Sequence, residues 1–160
     1  MRIAVFPGSF DPIHIGHVDM IQRALPMFDK IIIGIGINKQ KNYLFPLELR
    51  KAWIKDIFAF ENKIEVLSYK GLTIEFCRLH HANYILRGLR TAADFEFERA
   101  IAQMNQAMHR DIETIFLLSN PSLSMISSSL MRDILLNQGD ISQFVPEEIE
   151  DKVILKPEGE

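Results

Sequence analysis

Two histidines three positions apart, His14 and His17, flank Gly16 directly after the turn-forming run Pro7-Gly8-Ser9-Phe10-Asp11-Pro12. On a first helical turn that spacing sets both rings on one face. Glycine between them leaves the backbone open to a ligand. A helix start offers unpaired N–H groups to phosphate, so two imidazoles placed there point to anion chemistry rather than to a plain surface cap. Positive charge recurs at other boundaries: Lys39 and Lys41 follow an apolar run, Arg87 and Arg90 follow another, and Arg132 stands three residues after Ser127-Ser128-Ser129. Guanidinium forks and mobile lysine charges both suit phosphate oxygens. Capping a helix needs one serine, so three in succession leave N–H groups free for an anion. Each feature alone also has a plainer reading: two lysines are ordinarily solvated, and the arginines can pair with Asp94 or Glu98.

The elements that must position these groups follow from periodicity. Residues 2–6 form a short apolar strand. Val18, Met20, Ile21, Ala24 and Leu25 continue at helical spacing. Lys30–Ile37 is a continuous run rich in β-branched residues, as expected of a strand buried on both faces. A helix opening at Pro46 reaches about Phe60, with Leu49, Ala52, Trp53 and Ile57 as its apolar stripe. Residues 64–67 make a third strand, a helix runs from Gly71-Leu72 to about His80, and residues 83–86 make a fourth strand. Arg87 and Arg90 then converge across a Gly88-Leu89 turn. A helix over Ala92–Met108, a strand over Glu113–Leu118, a helix after the serines and a short helix from Pro146 complete the chain, with residues 156–160 expected as a frayed tail. Strands alternating with helices predict a single-domain, doubly wound, five-stranded parallel sheet. All the candidate groups then fall at the carboxyl ends of strands, where open α/β sheets bind ligands.

Composition narrows the function classes. At 160 residues, 48% hydrophobic and 24% charged, the chain suits one soluble domain. A net charge of −3 argues against broad nucleic-acid binding but leaves small anions possible. No apolar stretch reaches the roughly twenty residues of a membrane span and no signal-peptide pattern opens the chain, so a cytoplasmic protein is expected. The single cysteine, Cys77, reads as core packing, and no Cys/His cluster has zinc spacing. Gly34-Ile35-Gly36 lacks the third glycine of a dinucleotide loop, Lys39 standing there, and lies inside a strand; a Walker A sequence is absent.

The string from Gly8 to His17 resembles the HxGH signature of the nucleotidylyltransferase superfamily. Residues 126–132, Ile-Ser-Ser-Ser-Leu-Met-Arg, resemble its ISSTxxR-like second motif. Residues 87–98, from Arg87-Gly88-Leu89-Arg90 to Glu98, look like the corresponding segment of the phosphopantetheine adenylyltransferases. The similarity extends from residue 2 to about residue 148. It implies a Rossmann-like nucleotidylyltransferase fold and transfer of an adenylyl group from ATP to 4′-phosphopantetheine, giving dephospho-coenzyme A and pyrophosphate. His17 is then the transition-state stabiliser, assisted by His14 at the triphosphate. The resemblance assigns to ATP Ser9, Phe10, Gly88, Leu89, Arg90, Glu98 on the sugar side, Leu123, Ser124, Met125, Ile126, Ser127, Ser128, Ser129 and Arg132. Ser9, Lys41, Thr73 and Arg87 go to the acceptor, Thr73 standing where an apolar residue is expected. It further implies magnesium carried with ATP rather than held in a protein metal site, and a homohexamer built as a dimer of trimers, to which the apolar residues Phe95, Met104 and Met108 add a hint. A nucleotidylyltransferase with another acceptor and a non-catalytic nucleotide sensor are the competing readings. The segment from Arg87 to Glu98 opposes the first, and the intact histidines, lysine and arginines oppose the second.

Overall fold

The computed structural model describes residues 1–154, so the tail expected at 156–160 lies outside the described residues. Among the described residues five strands, β1 (Ile3–Gly8), β2 (Lys30–Ile37), β3 (Ile64–Lys70), β4 (Tyr84–Leu89) and β5 (Glu113–Leu118), alternate with five α-helices. These are α1 (Ile15–Ala24), α2 (Leu47–Ile57), α3 (Thr73–Leu79), α4 (Ala92–Met108) and α5 (Ser128–Leu136). Every pairing is parallel, in the order β3-β2-β1-β4-β5. The chain grows outward from β1 to β3 and then returns to the far side of β1, which puts the switch point between β1 and β4. The result is the single-domain, doubly wound α/β sheet expected from the sequence.

Two-residue alternation sorts side chains to the two faces of the sheet. Ala4, Phe6, Ile31, Ile33 and Ile35 pack with Ile21, Trp53, Ile54 and Leu135 from α1, α2 and α5 in one core. Val5, Ile32 and Ile85 pack with Ile74, Phe76 and Cys77 of α3 in the other. Ile31, Ile32, Ile33 and Ile35 of β2 are at most 1% exposed, and each fully buried side chain of that size contributes about 1.5–3 kcal/mol relative to exposure. Gly34 is explained here: a Cβ would lie 3.1–3.3 Å from the side chains of Tyr69, Phe76 and Val5. Its absence admits the stacked Tyr69–Phe76 pair, with ring centroids 4.4 Å apart. Cys77 is fully buried, and burial pushes its thiol up to about 12, so it packs rather than reacts.

Four details differ from the sequence expectation. β3 runs on to Lys70 because pairing with β2 continues through Ile37↔Lys70. β4 runs on to Leu89, paired with Leu118, so Arg87 lies within a strand and the Gly88-Leu89 turn does not exist. The buried residues of α2 are Arg50, Trp53 and Ile54, whereas Leu49 is 40% exposed. Beyond Pro146 there is a single 3-10 turn, Glu147–Ile149, whose three residues are too few for an α-helix. No helix among the described residues is long and apolar enough to cross a membrane.

Candidate active site

The end of β1 sets the site. Gly8 closes the strand, and Phe10, in the left-handed region at φ 49°, folds its ring back so closely that a Cβ on residue 8 would sit 2.9 Å from it. Glycine is required there. Phe10 is buried, and its ring meets His17 edge-on at 5.0 Å, while Phe6 meets the same imidazole at 6.3 Å. His14 stacks on the remaining side of His17, with ring centroids 3.6 Å apart.

The two histidines also cap their own helix. His14 is the N-cap of α1: its Nδ1 accepts from the His17 backbone N–H at 3.3 Å, and Nδ1 of His17 accepts from the His14 backbone N–H at 3.2 Å. This is a capping box written with imidazoles. Because both Nδ1 atoms accept, both neutral rings carry their proton on Nε2. The arrangement disfavours protonation. Burial is the main cause and Arg90 a second one holding His14 at about 4 instead of 6.5. Burial, then His14, Arg87 and Arg90 hold His17 well below its ordinary value. Near neutral pH His17 is therefore a neutral Nε2–H donor.

A stability prediction follows. Unfolded histidines take up protons near pH 6.5, whereas folded His14 resists until about 4 and folded His17 is likewise held well below its ordinary value, so the unfolded state binds more protons below pH 6.5 and gains on the folded state there. Stability should be flat above about pH 7 and fall as pH drops through this window, by roughly 2 kcal/mol from His14 alone between pH 7.5 and 5. Urea unfolding at the two pH values measures it. A pH-independent midpoint would contradict the neutral, buried imidazole pair.

Two cavities open on this strand end. The first, about 320 Å3, is lined by His14, Gly16, His17, Gly88, Arg90, Leu123, Ile126, Ser127, Ser128 and Ser129 among others. The amino ends of α1 and α5 both contribute. Ser127 caps α5 by accepting from the Leu130 N–H, which leaves the N–H groups of Ser128 and Ser129 for an anion. Arg90 pairs with Asp94 at 3.5 Å, and its own N–H is held by the Asp94 carboxylate that also completes the cap of α4. Gly88 makes room for Met20, whose methyl would be 2.9 Å from a Cβ there.

Ser9, Phe10, Leu89, Ser124, Met125 and Arg132, also expected at the nucleotide, do not line this cavity. Arg132 donates to the Asp11 carbonyl at 2.8 Å and to Ser129 Oγ at 3.2 Å, and Ser128 Oγ donates to the Pro12 carbonyl at 2.9 Å. These bonds tie α5 to the β1–α1 turn. Leu89 is a core side chain, the Ser124 hydroxyl is spent on the Pro121 carbonyl, and Met125 points outward at 68% exposure.

The second cavity, about 300 Å3, is lined by Ser9, Asn38, Lys41, Tyr43, Tyr69, Gly71 and Thr73 with Ile101, Ala102 and Asn105 of α4. Thr73 Oγ1 lies 2.7 Å from Tyr69 Oη, which gives its hydroxyl a partner at the first position of α3. Lys39 does not line it. Sequence reasoning missed Tyr43, Tyr69 and the α4 residues; the tyrosines carried a signal, being amphipathic rings beside strand ends.

Pro7, Gly8, Arg87 and Glu98 line both cavities. Arg87 grips Glu98 with a two-pronged ion pair, Nε to Oε2 at 2.9 Å and Nη2 to Oε1, while Nη1 donates to the Pro7 carbonyl at 2.9 Å. Glu98 is only 9% exposed. Two of the five guanidinium N–H groups remain for a ligand, held in a fixed plane between the cavities. Arg87 and Arg90 are thus divided: the first borders both cavities and the second only the cavity with the paired histidines. Among the described residues no group of three or more His, Cys, Asp or Glu is placed to hold a metal ion.

A five-stranded parallel sheet with paired histidines at its switch point and two cation-bearing cavities meeting there defines a nucleotidylyltransferase-type α/β domain. The cytidylyltransferase-like family matches residues 5–134. A putative nicotinate-nucleotide adenylyltransferase from Vibrio parahaemolyticus superposes with a TM-score of 0.66 at 18% identity, covering 94% of this chain and 97% of its own, a likeness of fold alone. The phosphopantetheine adenylyltransferase of Flavobacterium psychrophilum is 55% identical over 93% of this chain and 98% of its own. That of Flavobacterium johnsoniae is 51% identical over 93% and 97%. The chain belongs to the cytidylyltransferase-like family and, within it, to the phosphopantetheine adenylyltransferases.

Proposed function

We propose that the chain transfers an adenylyl group from ATP to 4′-phosphopantetheine in coenzyme A biosynthesis, releasing dephospho-coenzyme A and pyrophosphate. The observation that carries the reading is the meeting of two cavities at Gly8 and Arg87, one bearing His14, His17, Arg90 and the serine turn, the other Lys41, Tyr43 and Ser9. ATP occupies the first and the phosphorylated acceptor the second, so their reacting atoms face each other at the end of β1. The similarity to named relatives supports the same pair of substrates.

An acceptor phosphate oxygen forms a bond to the α-phosphorus while the bond from that phosphorus to the bridging oxygen breaks, and pyrophosphate leaves. A phosphate monoester has a second pKa of about 6, so near pH 7 the oxygen needs no strong base. What costs energy is bringing anions together and stabilising charge that develops in line. His17 supplies a neutral, pre-oriented Nε2–H donor to the α-phosphate, a fixed dipole aimed where charge grows. Arg90, the α1 and α5 amino ends and Ser127 to Ser129 hold the triphosphate, with Arg132 bracing the turn. Lys41, Arg87 and Ser9 orient the acceptor. Magnesium would come with ATP, where phosphate oxygens and water would meet its demand for hard ligands and it would neutralise part of the triphosphate charge.

The reaction belongs in the cytoplasm, where ATP is supplied. The working form is a homohexamer, a dimer of trimers. Phe95, Phe97, Met104 and Met108 on α4 are 40, 68, 65 and 46% exposed, an apolar surface of the kind that a second copy covers. Light scattering coupled to gel filtration should give six times the chain mass of 18.5 kDa, and a stable, active monomer would remove the hexamer. Pyrophosphate release measured with phosphopantetheine, nicotinate mononucleotide and a small phosphorylated alcohol tests the function itself. Turnover with the first alone is expected, and turnover only with another acceptor would overturn the assignment.

A further inference from the structure

Arg50 is the one charged residue on the buried face of α2, and it is 2% exposed. A leucine there would fill similar space without the cost of dehydrating a charge. The guanidinium is spent on direction instead. Its Nε donates to the Phe45 carbonyl at 2.9 Å, its Nη1 to the Ser9 carbonyl at 2.6 Å, and its plane lies over the Tyr43 ring, 4.3 Å from the centroid. Asp11, also 2% exposed, works across the same seam: its two carboxylate oxygens accept from the N–H groups of Leu44 and Phe45 at 2.8 and 2.9 Å. Tyr43 passes the constraint on, because its hydroxyl accepts from the Asn38 N–H at 2.8 Å and donates to the Gly36 carbonyl at 3.2 Å. The Lys41 N–H in turn donates to the Asn38 carbonyl at 3.1 Å. Neither Arg50 nor Asp11 lines either cavity, yet Ser9, Asn38, Lys41 and Tyr43 all line the second one.

We propose that Arg50, working with Asp11, is a positioning residue for the acceptor: it clasps the turn that carries Ser9 to the loop that carries Lys41, and so fixes the two sides of one phosphate seat relative to each other. The inference rests on the reading that this cavity takes the phosphorylated acceptor. Without the clasp, Lys41 hangs from a loop at the carboxyl end of β2 whose remaining internal bonds leave its distance from Ser9 unset. The nucleotide cavity is held by other bonds, those of Arg132 and Ser128 to the Asp11 and Pro12 carbonyls, and keeps its shape. Loss of the clasp therefore acts on one substrate.

The test is steady-state kinetics of Arg50→Lys, with Asp11→Asn as the second variant. A lysine keeps the charge but cannot meet two carbonyls and a ring face together. Asparagine keeps the size of Asp11 but only one acceptor oxygen for the two N–H groups. For each the KM for phosphopantetheine should rise about tenfold or more while the KM for ATP stays within about twofold, a split that general loss of stability does not produce. Should Arg50→Lys fail to fold, Asp11→Asn decides alone. Equal changes in both KM values, or no change in either, overturn the positioning role. A wild-type chain with no turnover on phosphopantetheine would instead sink the functional reading on which this inference stands.

Discussion

Replacing His17 by alanine is expected to lower kcat by on the order of a hundredfold or more while ATP affinity changes only a few-fold. The expectation comes from what the ring is prepared to do. Its Nδ1 is committed to the His14 N–H, and its ring is wedged among Phe6, Phe10 and His14. What remains is one Nε2–H whose direction is fixed before any substrate arrives. Such a donor stabilises charge that appears in the transition state and contributes little to ground-state binding, which Arg90 and two helix amino ends already provide. Alanine also removes half of the reciprocal cap, a loss of about 1 kcal/mol, so thermal unfolding of the variant must accompany the kinetics. Near-normal kcat with weakened ATP binding would reassign His17 to holding the nucleotide.

The parts of this site that were legible in the sequence are those set by local pattern. The β-branched run of β2, the strand–turn–helix at Gly8 to His17 and a cap from the serine run each depend on residues within a few positions of one another, and the structure places all three, with Ser127 as the capping serine. What the sequence hid depends on contacts across the fold. β4 outruns its expected end because β5 offers a partner as far as Leu118, and that pairing moves Arg87 into the wall between two cavities. The ion pairs themselves, Arg87 with Glu98 and Arg90 with Asp94, were open from the sequence as the plainer reading of the arginines; what it hid is that the first pair stands where the two cavities meet. Arg50 stands at helical spacing from Trp53, where the sequence pattern favours Leu49 for the buried face, and only its bond to the Ser9 carbonyl, 41 residues distant, shows why a cation is buried there instead.

Arg87→Ala should weaken phosphopantetheine binding about a hundredfold or more, Lys41→Ala about tenfold, and neither should change ATP binding by more than a few-fold. The two differ because of how each charge is held. Lys41 is exposed in a loop, a mobile ammonium whose attraction for a phosphate is partly screened by water. Arg87 is fixed by Glu98 and the Pro7 carbonyl, so its free N–H groups meet the acceptor without further loss of freedom. Its removal has a second consequence. The nearly buried Glu98 side chain would then stand with its carboxylate stripped of its cation, beside the place an anion must enter. Repulsion is added to lost attraction. The double change Arg87→Ala with Glu98→Gln separates the two effects, since it removes the stranded charge and should recover part of the acceptor affinity. Calorimetric titration of each variant with each substrate measures all of this. Equal losses for ATP and phosphopantetheine in a folded Arg87→Ala protein would mean that the arginine serves the site as a whole, and the division of the two cavities between two substrates would have to be abandoned.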